Sequence, residues 1–86
     1  MKMENKVLIK LYVPELDEIY ELFIPVNEIM WKIVKLITKS IYDLSFGAFP
    51  TNKTYVLMNK NTGYIYKMDE IIIKTDIRNS TELIIM

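Results

Sequence analysis

Histidine and cysteine are both absent from the 86-residue chain, and these two gaps exclude more chemistry than any other feature of it. Without them there is no Ser-His or Cys-His nucleophile, no imidazole or thiolate metal site and no disulfide. An excess charge of either sign is missing too: 11 basic side chains balance 11 acidic ones. A neutral chain has no general electrostatic attraction for nucleic acid or an anionic membrane surface. Long apolar runs are also lacking. The stretch Ile29 to Ile37 is interrupted by Lys32 and Lys35, whereas a spanning helix needs about 20 mostly apolar residues. No apolar segment of the signal-peptide kind follows the N-terminus. The expectation is a soluble, cytoplasmic protein without membrane insertion. What the chain does have is 51% hydrophobic and 26% charged residues, the balance of a folded single domain over residues 1–86, with 1–5 expected to be flexible.

Hydrophobic periodicity supplies the elements. From Lys6 to Val13 apolar residues alternate, with Val7, Ile9, Leu11 and Val13 on one face and Lys6, Leu8, Lys10 and Tyr12 on the other, as in a half-buried strand. Pro14 and the polar Glu15–Glu18 follow, then a second alternating run from Ile19 to Ile24 with Tyr20, Leu22 and Ile24 together. The pair reads as a β-hairpin. After Pro25, Asn27 is placed as a helix N-cap, and Met30, Ile33, Val34, Ile37 and Ile41 gather opposite Lys32, Lys35 and Lys39. The spacing predicts an amphipathic helix over 27–39.

Periodicity stops between Tyr42 and Lys53, where Gly47 and Pro50 mark a loop whose Leu44, Phe46 and Phe49 are expected to pack onto the core. A third strand is predicted over 54–58, a turn over 59–63 with Gly63 available for positive φ, and a short fourth strand over 64–66. Ile71–Ile73 fits either a strand or a buried turn of helix. Asn79–Ser80 forms a turn before the closing strand, 82–86. The order β-β-α-β-β-β, with one helix for a sheet of four to five strands, is an α+β, β-grasp arrangement with the last strand parallel to the first. One sheet face is left open.

The chain resembles ubiquitin-like proteins, and more narrowly the YukD/EsaB family of type VII (WXG-type) secretion systems of Gram-positive bacteria. The similarity rests on Tyr20-Glu21-Leu22-Phe23-Ile24-Pro25 leading into the helix and on Tyr55-Val56-Leu57-Met58-Asn59-Lys60. It extends to Ile72, Ile77-Arg78-Asn79 and Leu83-Ile84-Ile85 near the end. Ser80 departs from the family's usual glycine. The resemblance implies a non-enzymatic, cytoplasmic accessory or regulatory component of the secretion machine, acting by protein–protein interaction without a cofactor. The other reading is a small β-grasp adaptor or nucleic-acid-binding domain unrelated to secretion. The sequence ends in Leu83-Ile84-Ile85-Met86 without the diglycine of conjugated ubiquitins, so neither conjugation nor sulfur carriage is expected.

Alternation also points to a candidate surface. With Val7, Ile9 and Leu11 facing the helix, Leu8, Val56, Met58, Ile84 and Met86 are predicted to form an apolar patch on the open face. Such patches mark partner surfaces. Cover by the 42–53 loop or by a second copy of the chain is the competing reading, and the oligomeric state is left open. Trp31, on the helix flank, is a secondary candidate for contact with a partner. The carboxylate clusters Glu15, Asp17, Glu18 and Asp69, Glu70 fall in loops and read as solvated side chains, not an acid–base pair or a metal site. The Lys32, Lys35, Lys39 stripe reads as a solvated helix face.

Overall fold

The computed structural model describes residues 5–86; of the segment expected to be flexible, residues 1–4 lie outside the described residues. Asn5, at its end, accepts a backbone hydrogen bond from Val26 at 2.8 Å.

Strands β1 (Lys6–Val13) and β2 (Glu18–Pro25) form the predicted antiparallel hairpin, in register from Lys6 opposite Pro25 to Val13 opposite Glu18. The turn is closed by Leu16 N–H to Val13 and Asp17 N–H to Pro14, each at 3.1 Å. Asp17 takes a left-handed φ of 51°, which a short polar side chain tolerates. Val7, Ile9, Leu11, Val13 and Ile24 are buried on the inner face.

Helix α1 runs Met30–Leu44, starting three residues later and ending five later than the periodicity suggested. Asn27 is not its cap: Ile29 occupies that position and, among the described residues, no side chain caps the helix. The first two N–H groups of the helix are satisfied by tertiary contacts instead. Met30 N–H donates to the Glu70 carbonyl at 2.7 Å and Trp31 N–H to the Met68 carbonyl at 3.0 Å. Backbone partners of this kind replace a polar cap. At the other end Gly47 N–H reaches Tyr42 C=O at 2.8 Å and Phe46 N–H reaches Asp43 C=O at 3.2 Å. This is a Schellman closure with Phe46 in the left-handed position at φ 56°. Met30, Ile33, Val34, Ile37 and Ile41 are the buried stripe, as their spacing required.

The loop after the helix only partly joins the core. Phe49 is buried and stacks on Tyr55 with ring centroids 4.7 Å apart. Leu44 and Phe46 do not pack inward; Phe46 is 98% exposed. Strand β3 (Leu57–Asn59) is shorter than expected, although Val56 exchanges both backbone hydrogen bonds with Met86 just outside it, at 2.9 and 3.1 Å. The turn that follows is closed by Asn59, whose Oδ1 accepts Asn61 and Thr62 N–H at 2.9 and 3.2 Å, while Gly63 sits at φ 77°. Residues 64–66 are not a strand. A single bridge joins Ile65 to Met58. Tyr66 turns inward, and its hydroxyl donates to Asp76 Oδ1 at 2.6 Å. The ambiguous isoleucines divide between a bridge from Ile71 to Ile29 and one 3-10 turn, Ile72–Lys74.

Strand β4 (Glu82–Ile85) completes a four-stranded mixed sheet in the order β2-β1-β4-β3, parallel to β1 and antiparallel to β3. Before it, Leu8 N–H donates to Asn79 Oδ1 at 2.9 Å and Ser80 N–H to Leu8 C=O at 2.7 Å. Ser80 holds φ 70°, so the turn keeps a glycine-like backbone with serine in it. Helix α1 and the buried side chains of all four strands enclose the core on one face of the sheet. The architecture is the β-grasp.

Candidate interaction surface on the open sheet face

Strand register determines what the outer face presents. Ile19 pairs with Tyr12, Tyr12 with Ile84, Ile84 with Met58 and Met58 with Ile65. These side chains alternate away from the core, so they form one apolar row crossing every strand. Adjacent strands lie about 4.8 Å apart, so the row is roughly 20 Å long. Ile19 is 65% exposed, whereas Tyr12, Met58 and Ile84 are half-buried among their neighbours. Val56 and Met86, paired through the backbone, extend the row at its β3–β4 side. The Tyr12 hydroxyl donates to Asp17 Oδ1 at 3.3 Å, tying that ring to the hairpin turn.

Next to the apolar row runs a charged one, Glu21, Lys10, Glu82 and Lys60, alternating in sign from strand to strand. Lys60 N–H donates to the Glu82 carbonyl at 2.9 Å and keeps that end in line. Where the two rows meet lies a shallow depression of about 280 Å³ lined by Lys10, Tyr12, Ile19, Glu21, Lys60 and Glu82.

Of the residues expected to share a patch, Val56, Met58, Ile84 and Met86 come together. Leu8 does not join them: it pairs with Phe23, and the Lys10–Glu82 row separates it from Ile84. Tyr12, Ile19 and Ile65, which alternation alone does not assign to the patch, lie in the same row. The alternation already put Tyr12 outward; its pairing with Ile19 and Ile84 was the information lacking. The 42–53 loop does not lie over this face, since Thr51 and Lys53 border a groove against helix α1. Trp31 lines that groove on the helix side, with Lys32 Nζ 5.6 Å from its ring centroid.

Of the carboxylate clusters, Glu15 and Glu70 make bonds that tie loops to the fold. Glu15 bonds Lys53 Nζ at 3.3 Å and lies 3.1 Å from the Tyr55 hydroxyl, which also contacts the Pro50 carbonyl at 2.8 Å. Glu70 accepts Lys67 N–H at 2.7 Å and the Tyr64 hydroxyl at 3.2 Å. Burial first, and then the bond to Asp76, push the Tyr66 phenol well above its usual range. Among the described residues, no group of three or more carboxylates is arranged to hold a metal ion.

No protein-family model and no curated protein sequence matches the chain. Solved structures do, at the level of fold. The ubiquitin-like domain of the Mycobacterium tuberculosis type VII secretion system protein EccD1 superposes with a TM-score of 0.74 at 8% identity, over 94% of this chain and 97% of that one. A chain of the ESX-5 inner membrane complex gives a TM-score of 0.77 at 14% identity, over 95% of this chain and 21% of that one. A chain of a toluene 4-monooxygenase complex, with a TM-score of 0.75 at 6% identity, covers 93% of this chain and 95% of that one. The fold is therefore ubiquitin-like. The third neighbour shows how little that alone says about activity.

Proposed function

We propose that this ubiquitin-like domain is a non-enzymatic interaction module that docks a partner protein on its open sheet face, as an accessory or regulatory component of a type VII secretion machine. The observation that carries the docking role is the apolar row Ile19, Tyr12, Ile84, Met58 and Ile65, whose two ends, Ile19 and Ile65, are exposed. Its aromatic and aliphatic centre beside alternating charges is the composition of an interface core and rim. The secretion role is supported by the likeness to the EccD1 domain and to the ESX-5 chain, together with the YukD/EsaB resemblance over much of the sequence. In this reading the domain acts on the cytoplasmic side of the machine and needs no cofactor.

The test is to isolate the tagged protein from its host after mild crosslinking and identify what is bound. Enrichment of type VII membrane components is the expected result. Nucleic acid retained in a salt-sensitive way, without those components, would assign the domain to the other class.

A further inference from the structure

On the helix side of the molecule, away from the outer sheet face, a groove of about 520 Å³ runs between α1 and the segment leading into β3. Trp31 and Tyr42 stand at the two ends of its helical wall, Tyr55 on the opposite wall, and Met68 lines it as well. Among the described residues, three lysines border it, Lys35, Lys39 and Lys53, and no aspartate or glutamate does. In a chain of zero net charge that is a local segregation of sign. Among the described residues, Lys39 is engaged only with Asp43 at 3.7 Å and Lys53 with Glu15 at 3.3 Å, both at exposed positions. Exposed pairs contribute about 0–1 kcal/mol each and exchange readily for another carboxylate. Among the described residues, no ion pair engages Lys35.

We propose that this groove is a second docking site, for a short acidic segment of a partner protein. Apolar side chains of that segment enter between Trp31 and Tyr55, and its carboxylates meet Lys35, Lys39 and Lys53. The dimensions suit a peptide. Trp31 and Tyr42 are eleven residues apart on α1, about 16 Å at the helical rise, which is the span of roughly five extended residues. The lysine stripe of the helix thus has an occupant of defined charge. The proposal does not depend on the outer sheet face, and the two surfaces together would let one domain bridge two partners.

Trp31 is the chain's single tryptophan, so its emission reports occupancy directly. The full chain is titrated with an acetylated peptide alternating glutamate with leucine and phenylalanine, and with the same peptide carrying lysine for glutamate. A saturable blue shift is expected with the acidic peptide only. Added salt should weaken it, Lys35→Glu should weaken it about fivefold, and Ile84→Asp should leave it unchanged. Equal shifts from both peptides, or no shift with either, would overturn the proposal. So would decanoate filling the groove in a way the acidic peptide cannot displace, which would mark a site for small amphipathic anions. Loss of binding in Ile84→Asp but not Lys35→Glu would place the peptide on the sheet and contradict the assignment as well.

Discussion

Met58 and Ile84 stand directly opposite each other across the antiparallel β3–β4 pair, on the face away from the helix. The next residue back along β4, Leu83, points the other way and is fully buried. Adjacent positions should therefore respond in opposite fashion. Leu83→Ala is expected to cost about 2–5 kcal/mol through the cavity it opens. Ile84→Asp, on the outer face, should cost less than about 1.5 kcal/mol. Thermal and urea unfolding of the two variants check the difference, and similar losses for both would mean that the outer face is covered.

The polar cluster under the 59–64 turn gives a pH prediction. Tyr66 donates to Asp76 at 2.6 Å and accepts from Asn59 Nδ2 at 3.2 Å. Its pKa is raised above the ordinary 10.0, first by burial and then by the Asp76 bond. The folded state therefore holds a proton that the unfolded state releases, so this contribution is complete below pH 10 and declines as pH rises beyond it. Tyr66→Phe should cost about 1.5–3 kcal/mol near neutrality, the usual worth of a hydrogen bond to a charged group. It should also flatten the alkaline fall in stability. Denaturant unfolding between neutral and strongly alkaline pH measures both effects.

How the helix begins separates what could be read in the sequence from what could not. The buried stripe from Met30 to Ile41 was evident from spacing, because the 3.6-residue period leaves few alternatives. The start was not, because Glu70 and Met68, some forty residues along the chain, supply the carbonyls that a local cap would otherwise replace. Asn27→Ala should consequently cost less than about 0.5 kcal/mol, whereas true N-cap residues lose about 0.5–2 kcal/mol. A stability measurement on that one variant decides the point. The same limit governed the surface. Alternation placed Val56, Met58, Ile84 and Met86 outward, but only inter-strand register brings Tyr12 and Ile19 beside them and puts Lys10 and Glu82 between Ile84 and Leu8. The predicted strand at 64–66 failed for a related reason, since the inward turn of Tyr66 toward Asp76 depends on a residue ten positions later.

Of the three non-glycine residues in left-handed turns among the described residues, Asp17 has the short polar side chain that tolerates it, whereas Phe46 and Ser80 have little packing to hold them there. Phe46 has φ 56° and Ser80 has φ 70°, both with exposed side chains. L-residues lose about 1–2 kcal/mol in that region, partly offset by glycine's greater freedom when unfolded. Phe46→Gly and Ser80→Gly should each raise stability by about 0.5–1 kcal/mol. Gly47→Ala should lower it, because φ is +84°, a backbone conformation that L side chains rarely adopt. Melting temperatures of the three variants provide the check.

Capture of a partner protein by the outer sheet face is measured by calorimetric titration of the secretion component recovered with the wild-type chain. Wild type, Met58→Asp and Ile84→Asp are compared, with thermal unfolding of each recorded in the same buffer. Affinity is expected to fall by about a hundredfold or more in both variants, as at an interface centre, while both stay folded. Wild-type affinity in the folded variants would contradict it.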